Sequence, residues 1–287
     1  MKVTILEPSG YCSGVERAMK IAIQTKLDNP SKNVVVLGML VHNEDSLKNL
    51  EKHSIKTIYD KNCSLEQLVD KINKPSLVIL TAHGHAKSIE EKLIQNGHTI
   101  IDATCPFVSN SLEEIKKSLN KDLYVFYIGV KNHPEANAAL SLSDKVLLID
   151  VKDPRIPNID CKNPLVISQT TLSKFEIEKI NKDIVQQYPN ANFSNGICNA
   201  STKRQESLMN LDKDVDLVLI VGGKNSNNSK TLYNLAISLY PKKKVLLIQN
   251  KDDLNKKDLI GLTHIAISSG ASTPKEIIEE IKQFLLN

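Results

Sequence analysis

The chain predicts an α/β protein of three related units, each built on a mainly parallel sheet. Two observations carry this. Cys12, Cys105 and Cys198 stand 93 positions apart, each closing a short strand-like or loop segment and opening a helix-like one. From each cysteine the same order then follows: helix, apolar β-rich run, polar cluster, helix, second β-rich run, second polar cluster. Strands alternating with helices form parallel sheets, because a parallel return needs a crossover. Divided evenly, the units are 1–97 with Cys12, His42 and His83; 98–190 with Cys105, His133, Glu135 and Thr170; and 191–287 with Cys198, Ser226, Asn228 and Ser272.

Each element has a local reason. After Cys12, residues 14–27 place Val15, Ala18, Ile21 and Ala22 at helical spacing and stop at Asp28-Asn29-Pro30. After Cys105, residues 106–119 set Val108, Leu112, Ile115 and Leu119 on one face, and Pro106 suits the first helical position. After Cys198 the helix is expected through Leu211. Thr202 and Gln205 have capping-box spacing there, as Ser13 and Glu16 have in the first unit. The β-rich runs 34–40, 123–128 and 217–221 end at Val41-His42-Asn43, at His133-Pro134-Glu135 and at Lys224 to Asn228. The second runs, 77–80, 165–167 and 265–267, lead to His83-Gly84, Gln169-Thr170-Thr171 and Ser268 to Ser272. Residues 2–6 and 245–248 read as further strands. In open parallel sheets, ligands bind beyond the carboxyl ends of the strands. All six polar clusters fall there.

Composition narrows the function. With 287 residues, 41% hydrophobic and 24% charged, the chain is an ordinary globular protein. Tryptophan is absent and aromatics make up 4%, so stacking on single-stranded nucleic acid has little support. A net charge of +4, with the lysines dispersed, fits a small anion better than a polyanion. No apolar run approaches membrane-spanning length. The N-terminus opens directly into a strand, which points to the cytoplasm and to no membrane partner. Five cysteines, an odd number at low density, argue for reduced thiols over a disulfide framework. Cys63 and Cys161 fall off the repeat interval, in polar loops.

One thiol per repeat implies three thiols meeting on a pseudo-threefold axis, with a ligand position left open. Zinc bound by three cysteines and water suits this; so does a cubane iron–sulfur cluster with one exchangeable iron. Wide spacing and the lack of a fourth matching cysteine favour the cluster. Helix starts after Cys12 and Cys105 would stabilise thiolates. His42, His83 and His133, joined by Ser226, Asn228 and Ser272, supply the many donors that phosphate oxygens require away from water. Glu135 is the only acid in these clusters. Beside a bound diphosphate and a reduced cluster its pKa should rise, so that it can deliver protons. Thr170 offers a hydroxyl to relay a proton or fix a substrate hydroxyl. The same thiols would also serve a non-catalytic cluster or metal sensor, and the same donors a phosphate-binding module without redox chemistry.

The motifs also carry a specific resemblance. They are Gly10-Tyr11-Cys12-Ser13-Gly14-Val15-Glu16-Arg17-Ala18, Val41-His42-Asn43, Ala82-His83-Gly84, Asp102-Ala103-Thr104-Cys105-Pro106, His133-Pro134-Glu135, Gln169-Thr170-Thr171-Leu172, Ile197-Cys198-Asn199-Ala200-Ser201, Arg204-Gln205, Lys224-Asn225-Ser226 and Ser269-Gly270-Ala271-Ser272. From Gly10 to Pro274 the chain resembles the 4-hydroxy-3-methylbut-2-enyl diphosphate reductases, iron–sulfur enzymes that end the non-mevalonate isoprenoid pathway. The resemblance implies three α/β domains around a central 4Fe–4S cluster held by Cys12, Cys105 and Cys198. It implies a substrate hydroxyl oxygen on the fourth iron, and a diphosphate held by His42, His83, His133, Ser226, Asn227, Asn228 and Ser272. Glu135 would serve the proton path, and Thr170 the substrate's hydroxyl end. Two electrons, from a ferredoxin or flavodoxin, and two protons would remove the hydroxyl as water, leaving isopentenyl and dimethylallyl diphosphate. The chain departs from the family at Asn227 and Gly223, where serines are usual, and at Ala136-Asn137-Ala138, where a valine and a later glycine are common.

Overall fold

The structure is a computed structural model that describes every residue except His42 and Asn195, and every remaining side chain except that of Lys256. In chain order the elements are β1 (Lys2–Ile5), α1 (Ser13–Asp28), β2 (Val34–Leu37), α2 (Glu44–Lys52), β3 (Lys56–Ile58), α3 (Leu65–Val69), β4 (Leu77–Leu80), α4 (Lys87–Gln95) and β5 (Thr99–Asp102). There follow α5 (Pro106–Leu119), β6 (Val125–Gly129), α6 (Pro134–Leu140), β7 (Val146–Asp150), β8 (Leu165–Ser168), α7 (Lys174–Gln187) and β9 (Asn192–Phe193). The last are α8 (Asn199–Met209), β10 (Leu217–Val221), α9 (Asn227–Leu239), β11 (Lys244–Ile248), β12 (His264–Ser269) and α10 (Lys275–Leu286). Among the described residues no helix is long and apolar enough to cross a membrane.

Three four-stranded sheets result, ordered β3-β2-β4-β5, β7-β6-β8-β9 and β11-β10-β12-β1. Every pairing is parallel. The order is the same each time: the first strand of a set lies between the second and third, and the fourth flanks the third. The third sheet completes its set with the N-terminal strand, Lys2 facing His264 and Ile5 facing Ile267. An even division of the chain therefore cuts each set one strand early. It puts β1 with the first unit, whereas β1 lies in the last sheet; β5 and β9 likewise close the first and second sheets. The reason is shared: each fourth strand takes the open edge beside the third, then leads on to the next cysteine.

The chain forms two compact units. One comprises Met1–Val15, Val41–Lys48 and Cys198–Asn287 and holds the sheet of β10, β11, β12 and β1. The other comprises Glu16–Leu40 and Asn49–Ile197 and holds the remaining two sheets. The central strands are apolar on both faces because helices cover both. On β10, Leu217, Leu219 and Val221 pack with Ile278, Ile281 and Leu285 of α10. The alternate residues Val218 and Ile220 pack with Leu208 of α8 and Leu232 and Leu235 of α9. On β6, Phe126 and Ile128 meet Ile177, Ile180 and Ile184 of α7, and Val125 and Tyr127 meet Ile115 of α5 and Ala136 and Ala139 of α6. This period-two division fixes which residues at a strand's carboxyl end turn toward which helix.

Candidate active site

Each of the three repeat cysteines stands immediately before a helix. Cys105 is the N-cap of α5 (φ −62°, ψ 134°) and Cys198 the N-cap of α8 (φ −74°, ψ 148°). Cys12 directly precedes α1. The expected capping boxes do not form. Ser13 is already helical, and Thr202 lies inside α8, its hydroxyl donating to the Cys198 carbonyl at 3.3 Å. Sulfur takes the capping oxygen's place instead: Cys198 Sγ accepts the Ser201 N–H at 3.4 Å and lies 3.2 Å from Ser201 Oγ. A helix start is where a thiolate is best stabilised.

The cysteine segments are tied to the carboxyl ends of the third strands. Cys12 N–H donates to Ala271 O (2.9 Å) beyond β12, and Cys105 N–H to Ala82 O (3.0 Å) beyond β4. Before Cys198, Gly196 lies against Ser168 at the end of β8, so closely that a Cβ there would be 2.3 Å from the Ser168 carbonyl oxygen. The ends of β12 and β4 thus carry Cys12 and Cys105 as well as their polar clusters. None of the five cysteines is in a disulfide. Off the repeat, Cys63 sits between Lys71 (3.2 Å) and Asp60 (3.5 Å), and Cys161 packs on the core of the second sheet.

In the unit holding Cys105, four of the sequence-predicted residues gather by pairs. Glu135 is 3% exposed on the first turn of α6. Its Oε1 accepts the Thr170 N–H (2.9 Å) and the Tyr127 hydroxyl (3.3 Å), and its Oε2 accepts the Thr170 hydroxyl (3.0 Å). Burial raises its pKa to about 7, against the lowering effect of those hydrogen bonds. The direction is the one expected from the sequence, but the cause is desolvation rather than a neighbouring anion. His133 caps α6, its Nδ1 accepting the Glu135 N–H at 3.2 Å, which places the ring proton on Nε2. The His83 ring stands edge-on to that of His133, centroids 5.7 Å apart at 87°. Gly84 makes this approach possible. Its φ is +78°, and a Cβ there would be 3.2 Å from Val108 of α5 and 3.5 Å from Ala138 of α6. Ala136, at 3.5 Å from a Cβ on Gly129, is similarly close. Ala136 therefore seats α6 tightly on β6, and Ala138 seats it on Gly84.

In the unit holding Cys12 and Cys198, Ser226 caps α9, its Oγ accepting the Ser229 N–H at 3.3 Å. Asn227 and Asn228 form the helix's first turn. The Asn228 amide is engaged within the protein, donating to Ser201 Oγ (3.2 Å) and accepting the Ala271 N–H (2.9 Å). It links the Cys198 helix to the segment ahead of Ser272. Ser272 Oγ is buried with no hydrogen-bond partner among the described residues. Arg204, 1% exposed, donates from Nε to Ser269 O (3.1 Å), from Nη1 to Ala200 O (3.1 Å) and from Nη2 to Gly10 O (2.6 Å). His42 lies outside the described residues.

The whole chain can now be set beside known proteins. A family model described as LytB protein matches residues 3–286. The chain belongs to the LytB protein family. Similar curated proteins include the 4-hydroxy-3-methylbut-2-enyl diphosphate reductase of Malacoplasma penetrans (strain HF-2), 35% identical over 294 residues that span 99% of this chain and 97% of that protein. The namesake from Bacillus cereus (strain AH820) is 35% identical over 288 residues, 99% of this chain and 90% of that one. Among solved structures, the E-1-hydroxy-2-methyl-but-2-enyl-4-diphosphate reductase from Plasmodium falciparum matches with a TM-score of 0.87 at 27% identity, covering 100% of this chain and 88% of that chain. A second, described as (E)-4-hydroxy-3-methyl-but-2-enyl diphosphate reductase, the terminal enzyme of the non-mevalonate pathway, matches with a TM-score of 0.67 at 28% identity, covering 100% and 99%.

Three residues of this LytB-family chain had no role assigned from its sequence. Tyr127 reaches Glu135, and its place on β6 two residues from Val125, on the α6 side, was the available signal. Arg17 donates from Nη1 to Thr104 O (3.0 Å), beside Cys105. Arg204 does the same near Cys12 and Cys198. Their signal was scarcity: only three of the 37 Lys and Arg residues are arginine.

Proposed function

We propose that the chain performs the reaction for which its LytB-family relatives are named. It reduces 4-hydroxy-3-methylbut-2-enyl diphosphate to isopentenyl and dimethylallyl diphosphate, taking up two electrons and two protons and releasing the hydroxyl as water. The reading is supported by the match along the full chain. The observation that carries it is the buried carboxyl of Glu135, which holds a proton up to about pH 7 and meets both donors of Thr170.

Cys12, Cys105 and Cys198 would hold the cofactor. They fit an iron–sulfur group: none is in a disulfide, all stand at helix starts, and two share a unit with the buried Arg204 guanidinium, whose hydrogen bonds go to backbone carbonyls. When bound, a 4Fe–4S cluster with three thiolate ligands supplies electrons and a Lewis-acid position for the substrate's hydroxyl. The rest falls to the chain's own side chains. Glu135 holds the proton at a carboxyl oxygen. The Thr170 hydroxyl, 3.0 Å from Oε2, passes it on or orients the alcohol. His133 offers its Nε2 proton, and His83 and His42 would join it in donating to phosphate oxygens. Ser226, Asn227 and Asn228 present the start of α9, whose N–H groups and dipole favour an anion. Ser272 adds a buried hydroxyl with no other partner among the described residues. A low-potential ferredoxin or flavodoxin would deliver the electrons.

The test is anaerobic purification, assay of iron and sulfide, and turnover of the hydroxylated diphosphate with a low-potential reductant. About four irons and four sulfides per chain are expected, with both products formed. A protein that takes up only zinc and converts no substrate would overturn the proposal.

A further inference from the structure

Arg204 poses an electrostatic problem that the fold does not solve by itself. Its side chain is 1% exposed, and its three donor nitrogens meet three backbone carbonyls. Carbonyls satisfy the N–H groups but leave the charge unbalanced, and a buried ion without a counter-ion costs several kcal/mol. Burial pulls the Arg204 pKa below its ordinary value. Acting the other way are Cys12 and then Cys198 when ionised, followed by Glu7. The two strongest sources of compensation are thus thiols.

The carbonyls are also specific ones. Gly10 is two residues before Cys12, and Ala200 two residues after Cys198. The third, Ser269, ends β12, just ahead of the Ala271 carbonyl that receives the Cys12 N–H. One planar fork therefore pins both cysteine segments. A lysine has a single nitrogen and no such fork. In a chain whose cations are lysine with three exceptions, an arginine here marks a need for geometry as well as charge.

We propose that Arg204 is a positioning residue for the cofactor site: it fixes the segments bearing Cys12 and Cys198 through their carbonyls and serves as the counter-cation for the anionic group their thiolates hold. This rests on the iron–sulfur reading above. It assigns Arg204 two separable contributions, shape and charge.

The test uses the full-length chain reconstituted anaerobically, with Arg204→Gln and Arg204→Lys beside wild type. Two quantities are read: the rate of iron loss to a ferrous chelator, and the cluster's midpoint potential from a spectroscopic redox titration. Arg204→Gln removes both contributions. Iron should leave roughly 10- to 100-fold faster, the usual cost of losing an outer partner of a metal ligand, and the potential should fall because a nearby positive charge no longer favours the reduced state. Arg204→Lys restores charge without the fork, so its potential should return toward wild type while iron loss stays fast. Wild-type rate and potential in Arg204→Gln would overturn the assignment. If that variant does not fold, as shown by circular dichroism, Arg204→Lys decides: wild-type iron retention there refutes the positioning role. A wild-type chain that takes up no cluster refutes the underlying reading as well. A cluster-bearing wild type beside an indistinguishable variant refutes only the role of Arg204.

Discussion

Thr170 holds Glu135 by both of its donors, the N–H on Oε1 at 2.9 Å and the hydroxyl on Oε2 at 3.0 Å. The two come from different strand ends, Thr170 beyond β8 and Glu135 beyond β6. Under the proposed function their bond would make the buried acid part of a proton path, because a hydroxyl that donates to a carboxylate can accept from the neutral acid. Turnover should therefore fall as pH rises through about 7, where Glu135 loses its proton. Glu135→Gln should lower turnover by about 10²- to 10⁴-fold while leaving the cluster spectrum intact. Steady-state rates from pH 5.5 to 8.5, for both proteins, check this; a flat profile in wild type would refute it.

The same group makes stability depend on pH. Its folded pKa, about 7, is above the ordinary 4.5, so between those values the folded state binds more protons than the unfolded one. The resulting stabilisation is complete below about 4.5 and is lost as pH rises through about 7. The shift corresponds to about 3 kcal/mol at 1.36 kcal/mol per unit. Urea unfolding at pH 5 and pH 8 should show a larger drop for wild type than for Glu135→Gln, whose amide does not titrate. Equal drops would mean that the carboxyl is not held neutral by burial.

Much of this fold is written locally. Pro106 at a first helical position and the apolar spacing after it give the bounds of α5, and uninterrupted aliphatic runs give β4 and β10. The sheet membership of β1 is not local. It depends on pairing Lys2–Ile5 with residues more than 250 positions away, and pairing across such a distance leaves no periodic trace. The cysteine caps were hidden for another reason. Sulfur is outside the usual set of capping oxygens, so Ser13 and Thr202 looked like the better candidates. The upward shift of the Glu135 pKa was legible from the sequence, but its source was not, since burial on α6 depends on Gly84, Gly129 and the alanines packed against them.

Tyr127 supplies the outermost support of the acid. Its hydroxyl donates to Glu135 Oε1 at 3.3 Å in the buried face between β6 and α6, and this bond holds the carboxyl's pKa down. Tyr127→Phe keeps the ring and its packing. The alkaline limb of the turnover profile should move upward by less than a unit, with stability lowered by about 1 kcal/mol for the lost hydrogen bond. An unmoved limb would show that the Tyr127 hydroxyl has no part in setting Glu135.

The thiols divide into two classes that chemistry can separate. Cys12, Cys105 and Cys198 stand at helix starts, whereas Cys63 is tied to Lys71 and Asp60, and Cys161 packs on an apolar core. Serine at any of the first three should abolish the full iron and sulfide content of reconstituted protein. Serine at Cys63 or Cys161 should leave it unchanged. Iron assays on the five variants settle the division, and full retention by Cys105→Ser would contradict it.

Gly196 tests whether backbone contact alone positions a cysteine. A Cβ there would be 2.3 Å from the Ser168 carbonyl oxygen and 2.7 Å from its nitrogen, and main-chain atoms at the end of β8 cannot swing aside as a flexible side chain can. Gly97 has a φ of +76° with nothing within 4 Å of its missing Cβ. Alanine at Gly97 therefore costs only backbone strain, about 1–2 kcal/mol. Alanine at Gly196 must instead push the segment ahead of Cys198 away from β8, at about 1–3 kcal/mol for overpacking. Both variants should lose stability in urea, but only Gly196→Ala should also lose iron faster, because the displaced segment carries a thiol two residues on. Iron loss at the wild-type rate from a folded Gly196→Ala would mean that the contact with Ser168 does not hold Cys198 in place.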